Sequence, residues 1–125
     1  MKFYICPSCN QVHLKIIESD QLMMCCNQEE QLLIENALDE AVINHLPTIR
    51  KVGNFITVSV PHEHPMLDVH HIVFIAIETN EGFQIKYIKK DEPAHAGFIL
   101  SNQEFIIKAY AFCNLHLLFS TDNNL

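Results

Sequence analysis

Tryptophan is absent from the 125 residues, and glycine occurs only 3 times. Turns therefore have to be made by Asn, Asp and Pro. Basic residues are scarce too: 8 Lys and Arg against 15 Asp and Glu leave a formal net charge of −7. That balance argues against a nucleic-acid or anionic-membrane partner, because both are gripped through clustered Lys and Arg. No apolar run reaches the ~18 residues of a membrane-spanning helix. Met1-Lys2-Phe3-Tyr4-Ile5 runs straight into Cys6 and leaves no room for a signal peptide, so a cytoplasmic protein is expected. Internal repeats and low-complexity tracts are missing as well.

What is present is an apolar content of 49%, enough for a core, with 5 cysteines and 8 histidines. The length suits one ordinary domain, or one small domain beside a tiny one. An odd number of cysteines, four of them paired in sequence, favours metal or redox use over a disulfide framework in a reducing compartment.

Residues 1–34 read as one unit. Phe3 to Ile5 forms a short strand into the first cysteine pair, and Val12 to Ile17 alternates as a second. Gln21 to Met24 leads into the second pair, and Leu32-Leu33-Ile34 leaves it. So short a segment cannot bury enough apolar surface to fold alone and needs a staple. Residues 35–47 read as a connector, with Asn36 capping a short helix over Ala37 to Asn44 and Pro47 ending it. Glu29, Glu30, Glu35, Asp39 and Glu40 gather between the cysteines and the first useful histidine, and read as a solvated linker.

From Asn54 the pattern is β. Phe55 to Val60 alternates, with Ile56, Val58 and Val60 on one face. Ile72 to Ile77 is continuously apolar and β-branched, as a strand buried on both faces would be. Asn80-Glu81-Gly82 makes a turn that returns Phe83 to Ile88 as a hairpin partner. Ala96 to Leu100 and Phe105 to Phe112 add two more strands, the last of them ending in Cys113 to His116. Short strands without a convincing long helix predict an antiparallel sandwich.

Cys6-Pro7-Ser8-Cys9 is a metal knuckle: two intervening residues let a tight turn aim both sulfurs at one ion. Cys25 and Cys26 are contiguous, and both reach the same ion only if the chain turns sharply there. Asn10 and Asn27 follow the two pairs and tolerate the left-handed backbone that such turns need. Four thiolates imply a tetrahedral site, and spacing alone leaves iron and zinc open.

His45-Leu46-Pro47, His64-Pro65-Met66 with His70, and Cys113-Asn114-Leu115-His116 all sit beside turn signals. Imidazoles with one thiolate suit a borderline metal, and iron is plausible for redox work. Spacing alone does not decide whether these groups form one site.

The motifs resemble those of the desulfoferrodoxin, or superoxide reductase, family. Cys-x-x-Cys followed after fifteen residues by Cys-Cys is similar to its desulforedoxin-type domain, and the three histidine and cysteine motifs occur in the family's order across nearly the whole chain. The resemblance implies an all-β protein: a desulforedoxin-like four-cysteine metal domain over residues 1–36, then an immunoglobulin-like antiparallel β-sandwich over residues 37–125. It implies a tetrahedral iron, which zinc can replace, on Cys6, Cys9, Cys25 and Cys26. It also implies a square-pyramidal iron with His45, His64, His70 and His116 equatorial and Cys113 axial, the opposite position being open to superoxide. Reduction to hydrogen peroxide, a rubredoxin-like electron donor and a homodimer come with it.

Several positions depart from the family. It usually carries Glu and Lys just before the first ligand histidine, where Ile43 and Asn44 stand here. Glycines after the two cysteine pairs are Asn10 and Asn27, a glycine after the last histidine is Leu117, and an aromatic residue after the third histidine is His71. The loss of Glu and Lys keeps a second function open: a two-centre electron carrier with weak or no superoxide reductase activity. A structural zinc protein is a further alternative. His13, His62 and His95 match no family motif and are expected to be non-ligands, and His71 is expected to point away from His70 if that stretch is extended.

Overall fold

The computed structural model describes residues 1–38, 44–61 and 64–123. The chain divides into two compact units, Met1–Ile34 and Glu35–Leu125. Glu35 and Asn36 go with the second unit. The Asn36 side chain donates to the Ser120 carbonyl at 3.2 Å and accepts from the Ser120 amide at 2.9 Å. Asn36 therefore braces a strand instead of capping a helix, and most of the expected helix, residues 39–43, lies outside the described residues.

The first unit is built from five short strands: β1 (Lys2–Ile5), β2 (Val12–Lys15), β3 (Met24–Cys25), β4 (Gln28–Glu29) and β5 (Gln31–Leu32). β1 lies between β2 and β5, both antiparallel to it, and β3 pairs with β4. Ile16 and Ile17 fall beyond the second strand and are exposed. The hydrophobic residues buried among the described part of this unit are Phe3, Cys6 and Leu33. That is too little apolar surface to offset the conformational entropy of ordering more than thirty residues.

Among its described residues the second unit is a sandwich of seven strands: β6 (Thr48–Val52), β7 (Phe55–Ser59), β8 (Ile72–Thr79), β9 (Gly82–Tyr87), β10 (His95–Ile99), β11 (Ile106–Cys113) and β12 (Leu117–Asp122). One sheet runs in the order β10-β7-β6 and the other in the order β12-β11-β8-β9. Ile56, Val58 and Val60 are buried on one face, as their alternation predicts. Ile72, Ile75 and Ile77 join them, with Ala96, Phe98, Ala109, Ala111, Cys113 and Phe119, in one continuous core. Ala109, Ala111 and Cys113 are successive inward positions of β11.

Two strands escape the sequence pattern. β6 reads Thr-Ile-Arg-Lys-Val and is mostly exposed, so hydrophobic alternation gives it no signature. Its partner is set by a hairpin loop with Gly53 at φ 60°, the positive value that a II′ turn needs at its first central residue. The chain also does not end its sheet at Cys113–His116. It turns there and returns as β12, paired along β11 from Cys113↔Leu117 to Lys108↔Asp122.

Candidate metal centres

In the first unit the two cysteine pairs arrive on two turns. The Asn10 amide donates to the Cys6 carbonyl at 2.9 Å, and the Cys6 amide donates to the Gln11 carbonyl at 2.9 Å. Asn10 takes a left-handed φ of 64° at the end of that turn. The contiguous pair is resolved by a hairpin: Cys25 pairs with Gln28, and the two loop residues, Cys26 and Asn27, have φ of 53° and 58°. Positive φ at both central positions is the signature of a type I′ turn, which Asn favours. The sharp reversal demanded by adjacent cysteines is thus supplied by the tightest hairpin loop.

The four sulfurs lie within 4.8 Å of one another. Cys9 Sγ is 3.6 Å from Cys25 Sγ, and Cys25 Sγ is 3.9 Å from Cys26 Sγ. A tetrahedral ion with metal–sulfur bonds of about 2.3 Å has sulfurs about 3.8 Å apart, so the spacing fits one. The Cys6 thiol is pulled down to about 7, chiefly by the Cys9 backbone amide, with burial working against it. Cys25 and Cys26 are pushed up, above all by their hydrogen bonds to Cys6. Cys6 ionises readily while Cys25 and Cys26 resist, and a bound cation would favour the thiolate form of these two.

The described acidic residues between the cysteine pairs and His45 in sequence are not uniformly solvated. The Glu30 side chain is fully buried and meets His13 Nδ1 at 2.8 Å, while Gln11 Nε2 lies 2.7 Å from His13 Nε2. Glu35 pairs with Lys108 at 3.0 Å and accepts from the Ser120 hydroxyl. Glu29 is exposed, and Asp39 and Glu40 lie outside the described residues.

In the second unit His45, His64, His70 and His116 come together at one end of the sandwich. Their ring centroids form a near-square. His45–His64 is 4.5 Å, His64–His70 4.7 Å, His70–His116 5.0 Å and His116–His45 4.7 Å, while His45–His70 at 6.3 Å is a diagonal. Adjacent rings are turned 64–78° to each other, like blades of a propeller. Ligand atoms of His45, His64, His70 and Cys113 all lie within 4.8 Å of one another. His116 falls outside that mutual spacing but adjoins it, with Nδ1 3.7 Å from Cys113 Sγ. His45 also stacks on the core residue Phe119, with centroids 4.5 Å apart and planes 17° apart.

Three observations fit a metal here. His64 Nδ1 donates to the Pro65 carbonyl at 2.7 Å, which leaves Nε2 facing His45 Nε2 at 2.8 Å. Adjacent nitrogens on one ion with bonds of about 2.1 Å are about 3 Å apart. His70 Nε2 is buried without a hydrogen-bond partner, an arrangement that is costly unless something accepts its lone pair. Protonation is disfavoured as well: His64 is pushed down to about 4, chiefly by burial, and His70 is lowered for the same reason. Buried neutral imidazoles are the ligand form. The Cys113 thiol is pushed up by burial, while the backbone amides of His116 and Leu115 work the other way. A cation would convert it to thiolate.

Among the described residues, the other histidines stand apart from this group. His13 holds Glu30, and His95 is exposed on β10. His71 turns its Nδ1 to the Leu67 carbonyl at 2.9 Å, and the stretch leading to it turns at Asp68 and Val69 instead of running extended. His62 and Ile43 lie outside the described residues. Asn44 is exposed. Leu117 adopts a φ of 68°, so the chain takes a left-handed turn there without the glycine expected from the family. Sequence reasoning missed Glu30, whose partner His13 lies seventeen residues away, and Asn114, which is taken up below.

Known proteins resemble this chain in sequence and in fold. A sequence model described as desulfoferrodoxin matches residues 37–122. Desulfoferrodoxin of Clostridium acetobutylicum is 32% identical over 101 residues, covering 80% of this chain and 78% of that protein. Desulfoferrodoxin of Desulfarculus baarsii is 26% identical over 124 residues, covering 98% of this chain and 97% of that one. Among solved structures, superoxide reductase from Treponema pallidum has the same fold, with a TM-score of 0.80 at 24% identity over 97% of this chain and 96% of that one. With the family's sequence model matching residues 37–122, this chain belongs to the desulfoferrodoxin family.

Proposed function

We propose that the protein is a non-haem iron oxidoreductase that reduces superoxide to hydrogen peroxide at the centre formed by His45, His64, His70, His116 and Cys113. The observation that carries this reading is the square of four imidazoles next to a buried thiol. Four rings and one sulfur would hold the iron through five side chains of this chain. Iron bound there would supply one electron by passing from the ferrous to the ferric state. Superoxide takes up that electron and two protons to give hydrogen peroxide.

The chain's own part is to tune and to exclude. Four neutral imidazoles and one thiolate leave a ferrous site with a charge of about +1, which favours an anionic substrate. The Cys113 thiolate would donate electron density to a bound iron, as sulfur ligands do at other irons. Burial of His64 and His70 keeps protons off the ligands near neutral pH. Cys6, Cys9, Cys25 and Cys26 hold a second, tetrahedral iron or zinc. A rubredoxin-like electron donor, a homodimer and a cytoplasmic location complete the reading, and relatedness alone supports them. No helix among the described residues is long and apolar enough to cross a membrane.

A second reading is favoured by Ile43 and Asn44, which stand where the family usually has Glu and Lys. Asn44 offers no cation where the family usually has lysine, and the net charge of −7 repels superoxide at long range. A two-centre electron carrier with slow superoxide chemistry would have these features.

Metal analysis and stopped-flow mixing of the reduced protein with superoxide test both. The first reading expects iron in the histidine centre, a ferric-thiolate colour that Cys113→Ser abolishes, and one peroxide formed per reduced centre. Colour and iron without peroxide formation would leave the carrier, and no iron in the histidine centre would sink both. Asn44→Lys is expected to raise the low-salt rate and make it fall more steeply with added salt. A wild-type rate already as fast and as salt-sensitive would show that another cation steers the substrate.

A further inference from the structure

Asn10 and Asn27 are explained by their backbones, since each has a positive φ, and Asn36 by a positive φ together with its side-chain bonds to Ser120. Asn114 is different: its φ is not positive, and the left-handed turn of its loop falls on Leu117. Its side chain must account for it. The amide spans a gap between two separate stretches of chain. Oδ1 accepts from the His71 backbone amide at 2.8 Å, and Nδ2 donates to the Val69 carbonyl at 3.1 Å. The Asn114 backbone amide adds a third bond, to the His71 carbonyl at 3.1 Å.

The residue between Val69 and His71 is His70, one of the four histidines of the square. The residue before Asn114 is Cys113, and His116 is two beyond it. The β11–β8 ladder has already slipped at this point, since Phe112 pairs with Phe74 but Cys113 pairs with Ile72. Beyond the slip, backbone pairing continues only through Cys113↔Ile72 and the bond from the Asn114 amide to the His71 carbonyl, which reaches the far side of His70 but not Val69. The remaining ties on the His70 side are local: Leu67 and His70 exchange backbone bonds, and His71 Nδ1 returns to Leu67. They shape that turn but do not connect it to the thiol.

We propose that Asn114 is a positioning residue which fixes Cys113 and His116 relative to His70, by gripping the chain on either side of His70 with both ends of its amide. The chemistry requires a side chain of this reach that both donates and accepts. Asp accepts only and Lys donates only. The inference rests on the proposed metal centre, and it assigns Asn114 no contact with substrate or metal. Residues that orient ligands in this way commonly change metal affinity by ten-fold or more when removed.

The test is metal release from the full-length protein loaded with cobalt(II). The band belonging to the histidine centre is the thiolate-to-cobalt absorption that Cys113→Ser removes. Asn114→Ala is expected to shift that band and to speed cobalt loss to a chelator about ten-fold, while thermal unfolding of the sandwich stays close to wild type. Asn114→Asp keeps the acceptor for His71 and loses the donor for Val69, so it should fall between. It also carries the comparison if the alanine variant does not fold. Asn102→Ala removes another exposed Asn bond, to Asn54, and is expected to leave both band and release rate unchanged. Wild-type spectra and release rates in both Asn114 variants would overturn the inference while leaving the metal centre intact. A wild-type protein that takes up no cobalt at this centre would overturn both.

Discussion

The two units solve the same problem in opposite ways. The sandwich has a continuous core in which Ile56, Val58, Ile75, Phe98, Ala109 and Phe119 are fully buried, and its histidines are added at one end of an already stable framework. The first unit buries Phe3, Cys6 and Leu33 and, unusually, the carboxylate of Glu30. One of its few buried apolar groups is itself a candidate metal ligand. In that unit metal binding is expected to be part of folding, whereas the sandwich is expected to fold first and present its site to a metal afterwards.

Metal removal should expose that difference most strongly. Binding of a structural ion to four thiolates supplies on the order of 10 kcal/mol of folding free energy. Cys26→Ser, or chelation of the wild type, is therefore expected to strip amide-exchange protection from residues 1–34 and leave the β8 and β11 amides protected. Protection that survives across residues 1–34 without metal would break the comparison. The converse change is in the sandwich: Ile75→Ala should lower the denaturant stability of the second unit by about 2–5 kcal/mol. The thiolate spectrum of the first centre should persist below the unfolding transition. If that spectrum collapsed together with the sandwich at equal denaturant, the units would not be energetically separate.

A smaller effect is expected at Glu30. Replacement by Ala removes its bond to His13 and should weaken the first unit by about 1–2 kcal/mol. Faster amide exchange in residues 1–34 would register this, with exchange in the sandwich unchanged. The smallest effect is expected at Leu117→Gly. Relief of a left-handed non-glycine backbone is worth ~1–2 kcal/mol, but glycine gives back ~1 kcal/mol as extra freedom in the unfolded chain. A net change within about 1 kcal/mol is expected by denaturant melting. A loss well beyond that would mean that the half-buried Leu117 side chain matters more to the sandwich than its strained backbone.

Legibility in the sequence followed the same division. The inward strands were readable because Phe55 to Val60 alternates and Ile72 to Ile77 is continuously apolar. β6 was not, since an exposed edge strand needs no hydrophobic pattern. β12 was hidden because its apolar start follows immediately on the Cys113–His116 motif, which looked like an ending. The cysteine pairs could be read as one site because a covalent spacing limits where sulfurs can go, and Asn27 announced the turn. Glu30 could not be read as buried: nothing local distinguishes it from the exposed Glu29, and only the pairing of distant segments brings it to His13. The histidines were legible as a set mainly through family motifs, because rings from three separate loops carry no common period.

Cys113 occupies the same inward phase of β11 as Ala109 and Ala111, and that phase ties chemistry to evolution. A one-residue deletion within the strand would rotate the sulfur to the outer face and expose the alanines' side of the core in the same stroke. The lineage cannot drift out of this thiolate by sliding the strand. It can lose it only by exchanging the residue in place, so a substitution at position 113 on an otherwise intact sandwich would be the expected fossil of a member that had given up the reaction.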